Sequence, residues 1–571
     1  MHDRHRQIEN RLGRALEERI RPAEYGDRRP LTVAAWRTPG EPVPFAEATG
    51  PAATYQPFAV GTTWGRAWDT LWLHVTGEVP PEWAGLRIEA LIDPGFAAGP
   101  GFSCEGLAYL PDGTPVKGIH PRSRHLPIRA DGSGPARGIA RGGERVTWYV
   151  ELGANPDIMA DHRMNTPQSD LRTRRDQELF VFRGAELAVL REDVAALALD
   201  LEVLGDLMHS LSLDDPRRHE LMLTIDRALD ALDWHDVPAS AARTREVLAP
   251  QLSRTDAQPG HRISAIGNAH IDTAWLWPLR ETRRKVARTF SGALQLLRDD
   301  PDYVFAAPQA QQYAWLKEQH PTTYAEVKGA IGRRRWLPVG GAWVEADGNL
   351  PGGEALARQL VHGKRFFRRE FGVETAGVWL PDSFGYTAAY PQIARLARND
   401  WFLTQKISWN QTNPFPHHTF WWEGIDGTRI FTHFPPADTY NGEMSVEEVQ
   451  RAARQFRDKG GASRSLYPYG YGDGGGGPTR EMLGRYHRMA NLAGVPRIAL
   501  EGPDEFFAAA REEYGEAAPV WSGELYLELH RGTLTTQART KVGNRRCEHL
   551  LREAELWCAT AAVLGDGLGD G

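Results

Sequence analysis

His270 and Asp272 stand one residue apart at the end of the apolar run Ile263-Ser264-Ala265-Ile266-Gly267. On an extended strand, positions i and i+2 face the same side, so an imidazole and a carboxylate project together. Such a pair is half of a zinc site, and Trp275 close by offers a wall on which a sugar ring can rest. Taken alone, His-x-Asp reads equally well as a strand-end pair that hydrogen-bonds itself. Asp382 follows another apolar run, Val378-Trp379-Leu380-Pro381, with Phe384 and Tyr386 beside it. An Asp after Pro is more often a turn or helix cap. Asp473 precedes Gly474-Gly475-Gly476-Gly477-Pro478, which suits either a flexible linker or backbone that must pass close to a ligand. The Lys-Ser/Thr ending of a phosphate-binding loop is missing. His530, in Glu528-Leu529-His530-Arg531-Gly532, would by itself be structural.

Taken together, these residues divide a labour. His270, Asp272, His530 and one further Asp would make a zinc site with room for substrate. A retaining glycosidase needs two carboxyls about 5–5.5 Å apart, and Asp382 and Asp473 are available for those roles.

The elements that must position them follow from periodicity and punctuation. Residues 1–29 predict a charged amphipathic helix. Residues 30–183 predict a β-sandwich of short strands such as Leu71–Val75, Leu86–Ile92 and Val146–Val150 between Gly/Pro-rich turns, more a scaffold than a carbohydrate contact. Residues 184–260 predict a helical region, its seam running Leu187, Leu190, Val194, Leu197, Leu201, Leu204 and its end, from Arg243 to Gly260, a linker. Residues 261–515 alternate strands and helices, an α/β domain with parallel strands. Ligands collect at the carboxyl ends of such strands, so the segments could converge there. Residues 516–571 turn helical from about Thr535, with a frayed glycine-rich end.

The 571 residues suit two to four domains, and a net charge of −7 gives no nucleic-acid footprint. Nineteen tryptophans fit buried cores or indole-lined sugar sites. Cys104, Cys547 and Cys558 make neither a ligand cluster nor a disulfide framework, which fits a reducing, cytoplasmic setting. No signal core or membrane-spanning run is read, so no membrane partner is expected.

At the level of whole motifs, the chain resembles glycoside hydrolase family 38, the class II α-mannosidases, in its cytosolic, vacuolar and bacterial branch. The motifs are Gly267-Asn268-Ala269-His270-Ile271-Asp272-Thr273-Ala274-Trp275-Leu276-Trp277-Pro278, Trp379-Leu380-Pro381-Asp382-Ser383-Phe384-Gly385-Tyr386, Gly472-Asp473-Gly474-Gly475-Gly476-Gly477-Pro478 and Glu528-Leu529-His530-Arg531-Gly532. Asn413–Phe420 and Phe434–Tyr440 match this branch as well. The resemblance implies a seven-stranded β/α barrel-like catalytic domain and the start of a C-terminal helical bundle within which the chain stops, since family members continue further. It implies one zinc ion, with cobalt able to substitute, held by His270, Asp272, Asp382 and His530. It makes Asp382 the nucleophile and Asp473 the acid/base. Trp275 and Phe384, with Trp343 and Tyr386, would bind the sugar, and Trp343, Glu345, Asp347 and Asn349 would either shape the cleft or serve as turn and supporting residues. The implied substrate is an oligosaccharide ending in α-linked mannose, and the oligomeric state, monomer or homo-oligomer, stays open. Two rival readings stand beside it: a metal-dependent carbohydrate deacetylase, and a sugar-binding protein inactive through truncation.

Overall fold

A computed structural model describes residues 4–97, 99–128, 138–156, 176–256 and 260–565. The tail 566–571, read as frayed, lies outside the described residues. The N-terminal helix His5–Ala15 continues as helical backbone to Ala23 and buries Ile8, Leu12 and Ala15.

The sandwich is antiparallel and wider than 30–183. Its four-stranded sheet runs Tyr25–Pro30, Gly184–Leu190, Ile88–Asp93, His125–Pro127. Its six-stranded sheet runs Gln56–Pro57, Thr32–Arg37, Thr70–Glu78, Arg145–Gly153, Glu105–Tyr109, Pro115–Ile119. Strand alternation divides the six-stranded sheet into two buried faces. Leu71, Leu73 and Val75 fill the space between the sheets. Trp72, Leu107 and Tyr109 point the other way, into a large core shared with the helices and the α/β domain.

Leu187 and Leu190 belong to the last sandwich strand, and the helix they seemed to open begins at Glu192. Short apolar strands and helix seams share residue types, so spacing alone merged the two. Helices Glu192–Ser210, Pro216–Ala231 and Val237–Leu252 then pack together, and the expected linker from Arg243 is helix as far as Leu252. Asp215 and Asp236 cap the latter two, each accepting a backbone N–H.

Among the described residues, the strands of the α/β domain form two five-stranded sheets rather than one ring closed by hydrogen bonds. The first runs Trp336–Pro338, Phe305–Ala307, Arg262–Asn268, Arg464–Tyr469, all parallel, with Arg497–Leu500 also paired to Arg262–Asn268. The second runs Gly377–Trp379, Trp401–Leu403, Arg429–His433, Thr419–Glu423, Val520–Ser522; the first three strands are parallel, and the last two, parallel to each other, run antiparallel to them. One core joins them, taking Ile266, Ala306, Trp379, Leu403, Phe431 and Leu466 from six strands. The C-terminal helix Ala538–Leu564 buries no residue. No helix among the described residues is long and apolar enough to cross a membrane.

Candidate active site

Seven parallel strands each deliver a polar side chain from the loop after their carboxyl end. His270 and Asp272 follow Arg262–Asn268, Gln309 follows Phe305–Ala307, and Glu345 comes after Trp336–Pro338. Asp382 follows Gly377–Trp379, Lys406 follows Trp401–Leu403, Tyr440 comes after Arg429–His433, and Asp473 follows Arg464–Tyr469.

His270 is the hub. Its Nδ1 lies 3.1 Å from Glu345 Oε2, and its Nε2 lies 3.4 Å from Asp272 Oδ1 and 3.7 Å from Asp382 Oδ2. Ligand atoms of His270, Asp382 and Asp473 all lie within 4.8 Å of one another. The second oxygen of Asp382, Oδ1, takes a salt bridge from Lys406 Nζ at 2.7 Å. Lys406 lies over the rings of Trp409 at 3.8 Å and Phe384 at 4.8 Å, which fixes the ammonium on three sides. Gln309 Nε2 donates to Glu345 Oε1 at 3.3 Å and to the Ile271 carbonyl at 2.9 Å, tying two strand ends together.

Asp473 adopts a left-handed backbone, φ +52°, unusual outside glycine and enriched at functional sites. The Tyr440 hydroxyl donates to its Oδ1 and Asn441 Nδ2 to its Oδ2, each at 3.2 Å. Gly472 allows this approach: a Cβ there would stand 2.0 Å from Asn441 Oδ1.

Charge dominates the electrostatics. Burial would push the His270 imidazole down, but the carboxylates of Glu345 and Asp272 outweigh it and raise it above the usual histidine range. Burial raises Glu345, against the pull of His270. Asp473 is pushed up to about 6 by burial, with His270 opposing and Asp272 and Asp382 adding. Four carboxyls thus meet two cationic groups. Buried His270 Nε2 and Asp272 Oδ2 make no hydrogen bond, and both are ordinary zinc-ligand atoms. A divalent cation fits this donor set.

The other expected residues divide. Trp275 is 45% exposed and stands edge-on to Trp277. Phe384 lies on the site, 4.6 Å from the His530 ring. His530 itself is exposed, packs on Phe384 and Trp409, and stands outside the group of close ligand atoms. Tyr386 is corrected: its ring is fully buried, and its hydroxyl contacts the Leu380 carbonyl at 2.8 Å and Thr404 at 2.7 Å. Trp343 donates to Gln311 and packs on Phe366, and Asp347 accepts the N–H groups of Asn349 and Leu350 as a turn does. Glu345, expected either in the cleft wall or as a supporting residue, contacts His270 directly. Lys406, Gln309 and Tyr440 went unpredicted; what they share is their place just beyond a strand.

Residues 260–524 match the Glycosyl hydrolases family 38 N-terminal domain, preceded at 29–188 by the Alpha-mannosidase jelly roll domain and followed at 528–567 by the Alpha mannosidase middle domain. The chain is a jelly roll docked on an α/β domain, with an acidic, histidine-centred cluster at the strand ends. It belongs to glycoside hydrolase family 38. It is 39% identical to human Alpha-mannosidase 2C1 over 95% of its own length and 50% of that protein. It is 36% identical to Alpha-mannosidase of Saccharomyces cerevisiae over 88% of its own length and 47% of that protein. The chain therefore spans about half the length of these curated relatives. The crystal structure of an alpha-mannosidase from Enterococcus faecalis V583 aligns at TM-score 0.41 and 20% identity, covering 46% of this chain and 31% of that one.

Proposed function

We propose that the chain carries the catalytic half of a retaining α-mannosidase acting on oligosaccharides that end in α-linked mannose. The observation that carries this is the closeness of two carboxyls in unlike environments: one oxygen of Asp382 and one of Asp473 lie within 4.8 Å of each other, closer than the ~6.5–9.5 Å that an inverting pair keeps open for a water. Lys406 holds Asp382 Oδ1 at 2.7 Å, which leaves Oδ2 to attack the anomeric carbon. Asp473, raised to about 6, gives its proton to the departing glycosidic oxygen as the C–O bond breaks. The resulting carboxylate then takes a proton from a water that attacks the same carbon and frees Asp382. Tyr440 and Asn441 orient Asp473 through both steps. Trp275 gives the sugar an apolar face.

His270 and Asp382, whose ligand atoms lie close together, with Asp272 beside His270 and with His530 turned in from its packing on Phe384, would hold one zinc or cobalt ion. Such an ion, when bound, would chelate sugar hydroxyls and serve as template and electrostatic clamp. Glu345 orients His270 through Nδ1 and leaves Nε2 free for a ligand role.

A slow fluorinated mannosyl substrate tests the reading. Mass spectrometry should find the sugar on the peptide containing Asp382, and hydrolysis of an aryl α-mannoside should vanish on chelation and return with zinc or cobalt. A protein that stays unlabelled yet removes acetyl groups from a glycan would instead be a deacetylase.

A further inference from the structure

The loop that carries Asp473 has the α/β domain on one side only. On the α/β side, the Gly474 N–H donates to the His270 carbonyl at 3.2 Å. The other side is the jelly roll. A Cβ on Gly101, φ +86°, would stand 2.9 Å from the Asp473 carbonyl oxygen. One on Gly475 would meet Pro100 at 3.2 Å, and one on Gly476 would meet His120 at 2.8 Å. Phe102 sets its ring across Trp275, centroids 6.0 Å apart and planes at 78°.

A buried cation crosses the same boundary. Lys285, 1% exposed, donates from Nζ to Glu105 Oε1 and, at 3.4 Å, to the Gly474 carbonyl, the residue after Asp473. Its ammonium lies 4.6 Å from the Trp277 ring centroid. Glu105 opens the jelly-roll strand Glu105–Tyr109 and also takes Arg288 at 3.2 Å. Glu105–Arg288 alone would join the domains, so Lys285 adds a specific reach to the acid's loop. Fixing Asp473 in a left-handed backbone calls for contacts on both flanks, and the jelly roll supplies one of them.

We propose that the jelly-roll segment Pro100–Glu105 is part of the catalytic apparatus: Glu105 acts through Lys285 to hold the Gly474 carbonyl, and so aims the Asp473 carboxyl at the leaving oxygen. Glu105 and Lys285 are positioning residues. This rests on the reading of Asp473 as acid/base given above.

The test compares the parent chain with Lys285→Met, Glu105→Gln and Gly101→Ala on two α-mannosides. One has a dinitrophenyl leaving group, which departs without a proton; the other is a mannobiose, which needs one. A misaimed acid should cost roughly tenfold or more on the mannobiose, within the ~100–10,000-fold that a general acid supplies, and less than about twofold on the dinitrophenyl sugar. Hydrogen exchange should quicken across 470–478 and not across 305–345. Equal loss on both substrates, or none on either, would overturn the proposal even where the melting temperature drops. If Lys285→Met or Glu105→Gln does not fold, Gly101→Ala, which leaves every charge in place, decides by the same ratio. A parent that hydrolyses neither sugar removes the mannosidase reading itself, and the positioning role with it. A parent that hydrolyses both while the variants lose them equally removes only the positioning role.

Discussion

Asp473 sets the pH behaviour of the chemistry. A general acid must start protonated, and burial has moved this one up to about 6. The kcat/KM for a poor leaving group should therefore fall as pH rises through about 6, while the same limb should fade for a dinitrophenyl mannoside. Matching alkaline limbs on both substrates would count against Asp473 as the acid. The informative variant is Asp473→Asn, because Asn tolerates the left-handed backbone as Asp does. Glu345 makes a different prediction. Its carboxylate contacts only the Nδ1 side of His270, so Glu345→Gln should weaken zinc binding by about 10–100-fold, the usual cost of losing a partner behind a ligating histidine. Titration of the metal-free chain against a zinc indicator would measure it, and unchanged affinity would remove His270 from the ligand set.

Helix Leu279–Asp299 couples the two domains. Its Glu281, Arg284, Lys285 and Arg288 meet Glu105, Glu151 and Asn155 of the sandwich in a buried ionic network. Burial alone would raise Glu281, but Arg284 and Arg288 bring it down to about 2. A carboxylate with a depressed folded pKa contributes stability that is full above its unfolded value, about 4.3, and is lost as pH falls toward the folded value. The melting temperature should therefore drop between about pH 4.3 and 2, and Glu281→Gln should flatten that drop. The same substitution should cost ~1–3 kcal/mol near neutrality, because Arg284 and Arg288 each lose one buried carboxylate while keeping Glu151 and Glu105. A variant as stable as the parent would mean the network is dispensable.

At this scale, too, the limits of sequence reading have physical causes. His270 and Asp382 were legible because each follows an apolar run, and such runs end where parallel strands present ligands; Asp473 stood out by the glycine run after it, and the roles of all three came from the resemblance of whole motifs. Lys406 and Gln309 follow strands of three residues, Trp401–Leu403 and Phe305–Ala307, too short to show a period. Tyr386 misled because an aromatic next to a catalytic motif looks like a sugar platform, whereas its hydroxyl is held in the core by Leu380 and Thr404. The sandwich strands were legible from alternation, but their packing against the acid's loop depends on glycines such as Gly101, whose role is contact rather than pattern.

For the molecule as a whole, the jelly roll and α/β domain share one core, while the C-terminal helix stands apart. Leu550, Leu551, Trp557 and Val563 are each more than half exposed. Its ties to the body are polar: Arg358 to Glu555, Glu548 to the Gly352 N–H at 3.0 Å, and Arg545 to the Leu350 carbonyl at 3.2 Å. An exposed ion pair contributes roughly 0–1 kcal/mol and is screened by salt. Near 1 M salt, where the Debye length is about 3 Å, amide exchange across 538–564 should accelerate while the domains beneath it hold. An exchange rate indifferent to salt would mean that apolar contact tethers this helix. If charge is the tether, the helix 538–564 rests on an ionic latch, and the solution's electrolyte, rather than its temperature, decides whether it stays against the α/β domain.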